Sequence, residues 1–202
     1  HLRKKKNISI QAIFVAKKYL DRKFLFRLRK KRIKFYLIRN VNNLSVKKAL
    51  KQSDLGVSAG FPYIFKKDLL QMNQYGILNC HAGLLPKYRG GSPLNWQIIN
   101  DEKYFGLTVI KITNGIDTGD IVLEKKIRLL KKYDINDLHR IANKTFPQMV
   151  YLSVTRLLKR VKLKKQNNNK SNCFKQRNKE DSKIFLFSNS FKKIKLYLRA
   201  LK

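Results

Sequence analysis

Three short stretches of this chain hold side chains that could do chemistry together. They are Asn79 and His81 in NCH, the loop LLPKYRGG at 84–91, and Asp117 in GIDTGD at 115–120. An amide, an imidazole and a carboxylate thus each stand beside a chain-bending signal. Residues i and i+2 of a strand share a face, so Asn79 and His81 would sit side by side at a strand's end. There the amide can stabilise an oxyanion. The imidazole can shuttle a proton near neutral pH, with the carboxylate orienting it. Together the three can run acyl transfer to an amine without a metal or a covalent intermediate. Taken singly, each has a plainer reading: a core histidine, a turn-closing asparagine, a tight-turn aspartate. The combination with the intervening loop points to catalysis. No Ser or Cys sits where a nucleophile elbow needs one, because Cys80 would point away from Asn79 and His81. Three histidines in the whole chain, His1, His81 and His139, argue against a His-based metal site.

The elements that must position these residues alternate between strand and helix. Strands are expected at 33–38, 55–58, 77–81, 106–112 and 120–127. Ser45 is the expected cap of a helix reaching Leu50, and a second helix is expected at 66–72. A third, at 93–100, carries Pro93 in its first turn, where a missing N–H costs nothing. Asp134 would cap a helical stretch that Pro147 splits in two, with Leu152, Leu157 and Leu158 on its packed side. Such alternation implies an α/β sheet, largely parallel, with the site beyond the strands' carboxyl ends. Leu84, Leu85 and Pro86 can anchor the site loop in the core, and Gly90 and Gly91 free the backbone to pass close to a ligand. Residues 164–182 are polar and low in complexity, as in a loop or linker. An amphipathic stretch at 191–201 follows. The expected organisation is therefore 1–163 as one domain and 164–202 as a linker with the start of a further region.

The chain has 202 residues, a hydrophobic fraction of 43% and a net charge of +35. That length buries one good core, and the composition is that of a globular protein. Charge is unevenly spread: 18 Lys/Arg against 1 acidic residue in 1–53, 7 against 7 in 54–125, and 22 against 4 in 126–202. The motif block is balanced and both flanks are basic. Basic flanks attract polyanions such as RNA or phosphorylated substrates. A coding bias toward Lys, Asn and Ile gives the same excess, and the runs lack the interleaved aromatics of a stacking platform, so charge alone assigns no function. Cys80 and Cys173 lack metal-ligand spacing and suit a reducing cytoplasm. No apolar run is long enough to span a bilayer, so no membrane role is expected. The chain begins with His1, as a fragment with an incomplete N-terminus would.

The stretch NCHAGLLPKYRGGSPLNWQIINDEKYFGLTVIKITNGIDTGDIV at 79–122 resembles the signature of the folate-dependent formyltransferase family. Its branches act on methionyl-tRNA, sugar nucleotides or glycinamide ribonucleotide. The likeness is strongest over 54–127. A weaker echo in KQRNKEDS at 175–182 and IKLYLRAL at 194–201 resembles the linker that follows the catalytic domain in the first two branches. The resemblance implies a Rossmann-like catalytic domain, a cytoplasmic enzyme of one-carbon metabolism, and 10-formyltetrahydrofolate as formyl donor. By position, Asn79, His81 and Asp117 match the family's catalytic triad. Ala59, Gly60, Phe61, Pro62, Tyr63 and Ile64 match the loop that lines the folate pocket. Thr113, Gly115 and Ile116 match the turn that closes it from the other side, and Leu84 joins the folate-binding set. The chain departs from the family in three places. Gly83 stands where most members have Ser, the loop at 61–63 lacks the Arg of some branches, and the segment before Ile33 matches poorly. Pro93, Leu94, Asn95 and Trp96 resemble the sugar-nucleotide branch, so the expected acceptor is the amino group of a sugar nucleotide. Initiator Met-tRNA is the alternative, and an inactive basic remnant that binds RNA is a third reading.

Overall fold

Strand β1 (Ile13–Ala16) and strand β2 (Phe35–Ile38) pair in parallel, Ile13 opposite Phe35 and Ala16 opposite Ile38. Parallel neighbours need a crossover, and helix α1 (Arg22–Lys30) supplies it. Its cap Asp21 accepts a hydrogen bond from Lys23 N, and Leu25 and Leu28 form its buried stripe. Helix α2 (Leu44–Lys51) buries Val46 and Leu50. Its cap is Asn43, not the expected Ser45: the Asn43 Oδ1 accepts from Ser45 N at 2.8 Å, because the side chain that satisfies a first-turn amide must lie outside the turn. Strand β3 (Gly56–Ala59) follows. Helix α3 is a single turn (Lys67–Leu70) with no side-chain cap, shorter than the expected 66–72. The computed structural model describes residues 8–19, 21–178, 180–183 and 190–201, and they form two units, the first ending at Leu78 and the second beginning at Asn79. Lys179 of the expected linker lies outside the described residues.

Strand β4 (Ile77–His81) spans that division. Its first residues lie beside β3, where the Gly56 Cα comes so close to Ile77 that an added Cβ would sit 3.0 Å from the Ile77 side chain. In the second unit come strand β5 (Arg89–Gly90), helix α4 (Pro93–Ile99) and strand β6 (Tyr104–Lys111), the last next to β4. Strand β7 (Ile121–Arg128) pairs antiparallel with β6, Tyr104 opposite Arg128. Phe105 to Ile110 are all buried, as in a strand covered on both faces.

Helix α5 (Ile135–Leu158) starts at a capping box formed by Asp134 and Asp137. It runs through Pro147 without a break, contrary to the expectation that Pro147 splits it. The proline forfeits one helical hydrogen bond, and burial of Ala142 before it and of Met149 and Val150 after it holds both halves to the core. The packed face is also displaced from the expected one. Leu138, Ala142, Met149 and Ser153 are buried, whereas Leu152 and Leu158 are 42% and 59% exposed. The polar stretch after 163 carries structure of its own. Ile121 and Lys164 exchange backbone hydrogen bonds, and strand β8 (Cys173–Phe174) pairs in parallel with β5. Helix α6 (Phe191–Leu201) packs on α4, where Asn95 Nδ2 donates to Ala200 O at 2.8 Å. Among the described residues, no helix is long and apolar enough to cross a membrane. None of their His, Cys, Asp and Glu side chains form a group of three or more that could hold a metal.

Candidate active site

Asn79 and His81 occupy the end of β4, two residues apart and on one face. Cys80 faces the other way, and burial pushes its thiol up to about 12. Asp117 comes from the turn between β6 and β7. Its Oδ1 accepts from Asn79 Nδ2 at 3.3 Å, and its Oδ2 accepts from Gly90 N at 3.0 Å. The same Oδ2 lies 3.3 Å from His81 Nδ1, and the two side chains are 13% and 5% exposed. Three nitrogens, two from β4 and one from β5, therefore converge on one nearly buried carboxylate. Of the three candidate catalytic residues, none is left apart from the others.

The second ring nitrogen of His81, Nε2, sits 2.5 Å from Tyr88 O. A carbonyl can only accept, so this contact places a proton on Nε2. Both ring nitrogens thus face acceptors, and the ring is held on two sides. Tyr88 is itself fixed: its hydroxyl donates to Glu102 Oε1 at 2.6 Å and accepts from Asn100 Nδ2 at 3.1 Å. Its ring stacks on Phe174 at 5.1 Å. Burial first, and Glu102 second, push the Tyr88 phenol well above its usual range.

The loop between β4 and β5 is pinned by two buried polar side chains. Gln97 Nε2 donates to Ala82 O at 3.0 Å while its Oε1 accepts from Gly106 N at 2.8 Å. Thr108 Oγ1 donates to Gly83 O at 2.7 Å. Gly83 has no room for a side chain: a Cβ there would lie 2.6 Å from both His81 Nε2 and Tyr88 O. The bare Gly83 backbone thus leaves His81 free to approach Tyr88 O. Leu84 is half-buried and lies against Gly106, where a Cβ would meet it at 2.5 Å.

On the β6–β7 turn, Thr113 Oγ1 and Thr118 Oγ1 are 2.9 Å apart. Thr113, Gly115 and Ile116 are exposed beside Asp117. Asp117 adopts the left-handed backbone region at φ 52°, which costs a non-glycine residue about 1–3 kcal/mol and survives only where surroundings impose it. Gly119 closes the turn, since a Cβ would fall 1.7 Å from Lys111 O. In the first unit, Ala59 and Gly60 are exposed at the end of β3, and Gly60, at φ +59°, has open space around it. Phe61 meets Tyr63 edge-on at 5.3 Å and stacks on Phe65 at 5.7 Å. Pro62 is half-buried and Ile64 is 78% exposed.

Sequence reasoning missed three supports of this site. They are the carbonyl of Tyr88, the amide N–H of Gly90, and Gln166. Arg89 is 7% exposed and donates to Gln166 Oε1 and Asn168 Oδ1. It is a brace. Trp96 is likewise structural, stacked on Phe174 at 5.4 Å and donating from Nε1 to Lys175 O. His139 lies on α5, remote in sequence and element from the three converging segments.

The chain is similar to several proteins named as formyltransferases. It is 43% identical over 88 residues to a methionyl-tRNA formyltransferase of Caldanaerobacter subterraneus subsp. tengcongensis, covering 43% of this chain and 28% of that protein. The chain spans less than half the length of the curated relatives it matches. Its fold is shared by a 4-N formyltransferase from Francisella tularensis, with a TM-score of 0.73 at 22% identity over 93% of this chain and 75% of the other. It is shared as well by WlaRD, a sugar 3N-formyl transferase solved in the presence of dTDP and 5-N-formyl-THF. There the TM-score is 0.68 at 23% identity, over 87% of this chain and 61% of the other. The family model described as formyl transferase matches residues 14–154, well over half of the sequence, and the chain belongs to that family.

Proposed function

We propose that this chain transfers a formyl group from 10-formyltetrahydrofolate to a primary amine, with Asn79, His81 and Asp117 as the reacting groups. The observation that carries this reading is the convergence of Asn79 Nδ2, His81 Nδ1 and Gly90 N on the Asp117 carboxylate at 3.0–3.3 Å. The bound donor supplies an electrophilic formyl carbon. The attacking amine must be neutral, it loses one proton on acylation, and the folate nitrogen gains one as its bond to carbon breaks. Asn79 spends one N–H on Asp117, and we assign its other N–H to the oxygen on which charge develops. Removing one such donor typically costs about 100- to 1000-fold in rate.

His81 is held unequally. Its Nε2 contact with Tyr88 O is 2.5 Å and its Nδ1 contact with Asp117 is 3.3 Å. The looser side is the one that can exchange partners, so we assign proton traffic between amine and carboxylate to Nδ1. For the folate, Ala59 and Gly60 offer exposed backbone, and the cluster of Phe61, Tyr63 and Phe65 with Pro62 and Ile64 offers an apolar surface suited to a flat heteroaromatic ring. In the second unit, Leu84, Thr113, Gly115 and Ile116 are the positions that the family resemblance assigns to folate contact, and Thr113, Gly115 and Ile116 are exposed there. The free thiols suit a cytoplasmic setting.

For the acceptor, the 43% identity to a methionyl-tRNA formyltransferase favours Met-tRNA over the sugar nucleotide expected from sequence. The basic flanks agree with that choice. The sugar-nucleotide reading rests on Pro93, Leu94, Asn95 and Trp96. The test is transfer of labelled formyl from 10-formyltetrahydrofolate to Met-tRNA and, separately, to dTDP-3-aminofucose. Formylated Met-tRNA, with a rate that falls steeply as salt rises, supports the first acceptor. Formylated sugar nucleotide, with little salt dependence, supports the second. RNA binding without transfer to either amine favours the inactive remnant.

A further inference from the structure

We propose that Gln166 is a positioning residue for the formyl transfer assigned above, acting through the Asp117 turn; the inference rests on that reading of the site. The Gln166 amide is fully engaged. Its Nε2 donates to Asp117 O and to Gly119 O, each at 2.7 Å. Its Oε1 accepts from Arg89 Nε at 3.0 Å and Arg89 Nη2 at 2.9 Å. An amide has two donors and two acceptor sites, and here all four serve the site's frame.

The two carbonyls that Gln166 grips are that of Asp117 itself and that of Gly119, two residues on. Asp117 sits at φ 52°, a conformation that an aspartate keeps only under external constraint. Gly119 is pressed against Lys111 O, so the turn is fixed on that side as well. On the opposite side, the Arg89 guanidinium held by Gln166 belongs to the residue just before Gly90, whose N–H donates to Asp117 Oδ2 at 3.0 Å. Gln166 therefore links the backbone of the acceptor to the segment of its donor. Backbone bonds hold the segment around it at both ends: Ile121 N to Lys164 O at 2.8 Å before it, and Arg89 N to Asn172 O at 3.0 Å after it.

The chemistry of the four contacts gives a discriminating substitution. Among the described residues, buried Arg89 donates to the neutral amide oxygens of Gln166 and Asn168. Gln166→Glu gives Arg89 a carboxylate, which strengthens that brace, and turns the two donor contacts into carboxylate-to-carbonyl repulsions. Gln166→Met keeps the length and removes all four bonds. If Gln166 positions Asp117, both variants lose kcat by about 10- to 100-fold, the range set by sub-ångström to 1 Å misplacement of a reacting group. The KM for 10-formyltetrahydrofolate stays within about twofold.

The assay uses the full chain with whichever of Met-tRNA and dTDP-3-aminofucose the parent formylates. Gln166→Glu at parental kcat overturns the proposal, because a residue that only satisfies Arg89 would tolerate the change. If that variant does not fold, Gln166→Met read well below its Tm decides by the same kcat-against-KM split. A folded parent with no turnover contradicts the formyl-transfer reading instead. Amide hydrogen exchange over 113–120 then judges Gln166 by itself. Faster exchange confined to that turn in Gln166→Glu supports positioning, and unchanged exchange overturns it.

Discussion

Gly83→Ser introduces the side chain that the family resemblance leads one to expect at this position, and the structure of this chain predicts that it does harm. A Cβ at 83 would lie 2.6 Å from His81 Nε2 and 2.6 Å from Tyr88 O, the two atoms that contact each other at 2.5 Å. Tyr88 cannot retreat easily, because its hydroxyl is bound by Glu102 and Asn100 and its ring is stacked on Phe174. The Gly83 backbone is held by Thr108. His81 must therefore move. Overpacking of this kind costs about 1–3 kcal/mol, and loss of the ring's bond to Tyr88 O adds about 1 kcal/mol. The sum, about 2–4 kcal/mol, corresponds to a drop in Tm of roughly 4–16 °C for a chain of this size. A displaced His81 lowers kcat by about 10- to 100-fold, with KM for the folate little changed. Gly83→Ala carries the same Cβ without the hydroxyl and should behave alike. Steady-state kinetics and a thermal melt on both variants provide the check. A Gly83→Ser protein with parental or higher kcat and an unchanged Tm would refute the reasoning, since the hydroxyl would then be helping a site that has room for it.

Three further outcomes follow from the same geometry. Asp117→Asn keeps the shape but turns one acceptor oxygen into a donor, so a convergent N–H of Gly90 or Asn79 loses its partner. The expected result is about 1–3 kcal/mol of lost stability by denaturant melt and a kcat lower by about 100- to 10,000-fold. Gly119→Ala places a methyl 1.7 Å from Lys111 O, and circular dichroism melts should show it among the most destabilising single changes in the turn. Cys80, pushed up to about 12 by burial, stays a thiol at neutral pH, whereas Cys173 is exposed. Thiol labelling of the native protein near pH 7.5 should therefore modify Cys173 alone, and mass spectrometry of the peptides reads the result.

Much of the site's placement was legible in the sequence, for reasons that differ by element. The strand bearing Asn79 and His81 was bounded by an apolar start and a glycine-rich exit, and its span of Ile77–His81 matches the expectation. Helix α4 began at its proline and α6 followed its apolar periodicity. Pro147 misled because a proline's local cost is small beside the burial of side chains on both sides of it. Leu152 and Leu158 misled because leucine type was read without the phase set by Leu138, Ala142 and Met149. The polar stretch after 163 gave no apolar period at all, so the hydrogen bonds of Gln166 and Asn168 left no trace in composition. Tyr88 and Gly90 act through backbone atoms, which residue type does not report. Gly83 was visible as a departure from the family pattern that the resemblance implies, and the close contact of His81 with Tyr88 O is why this loop accommodates it.

The central claim is that Asn79, His81 and Asp117 run a formyl transfer, and Asn79→Ala tests it most directly. With 10-formyltetrahydrofolate and the acceptor that the parent uses, the account predicts a kcat about 100- to 1000-fold below the parent's, as for loss of one oxyanion donor. Folate KM should stay within about twofold. An Asn79→Ala protein that turns over at the parental rate contradicts the account.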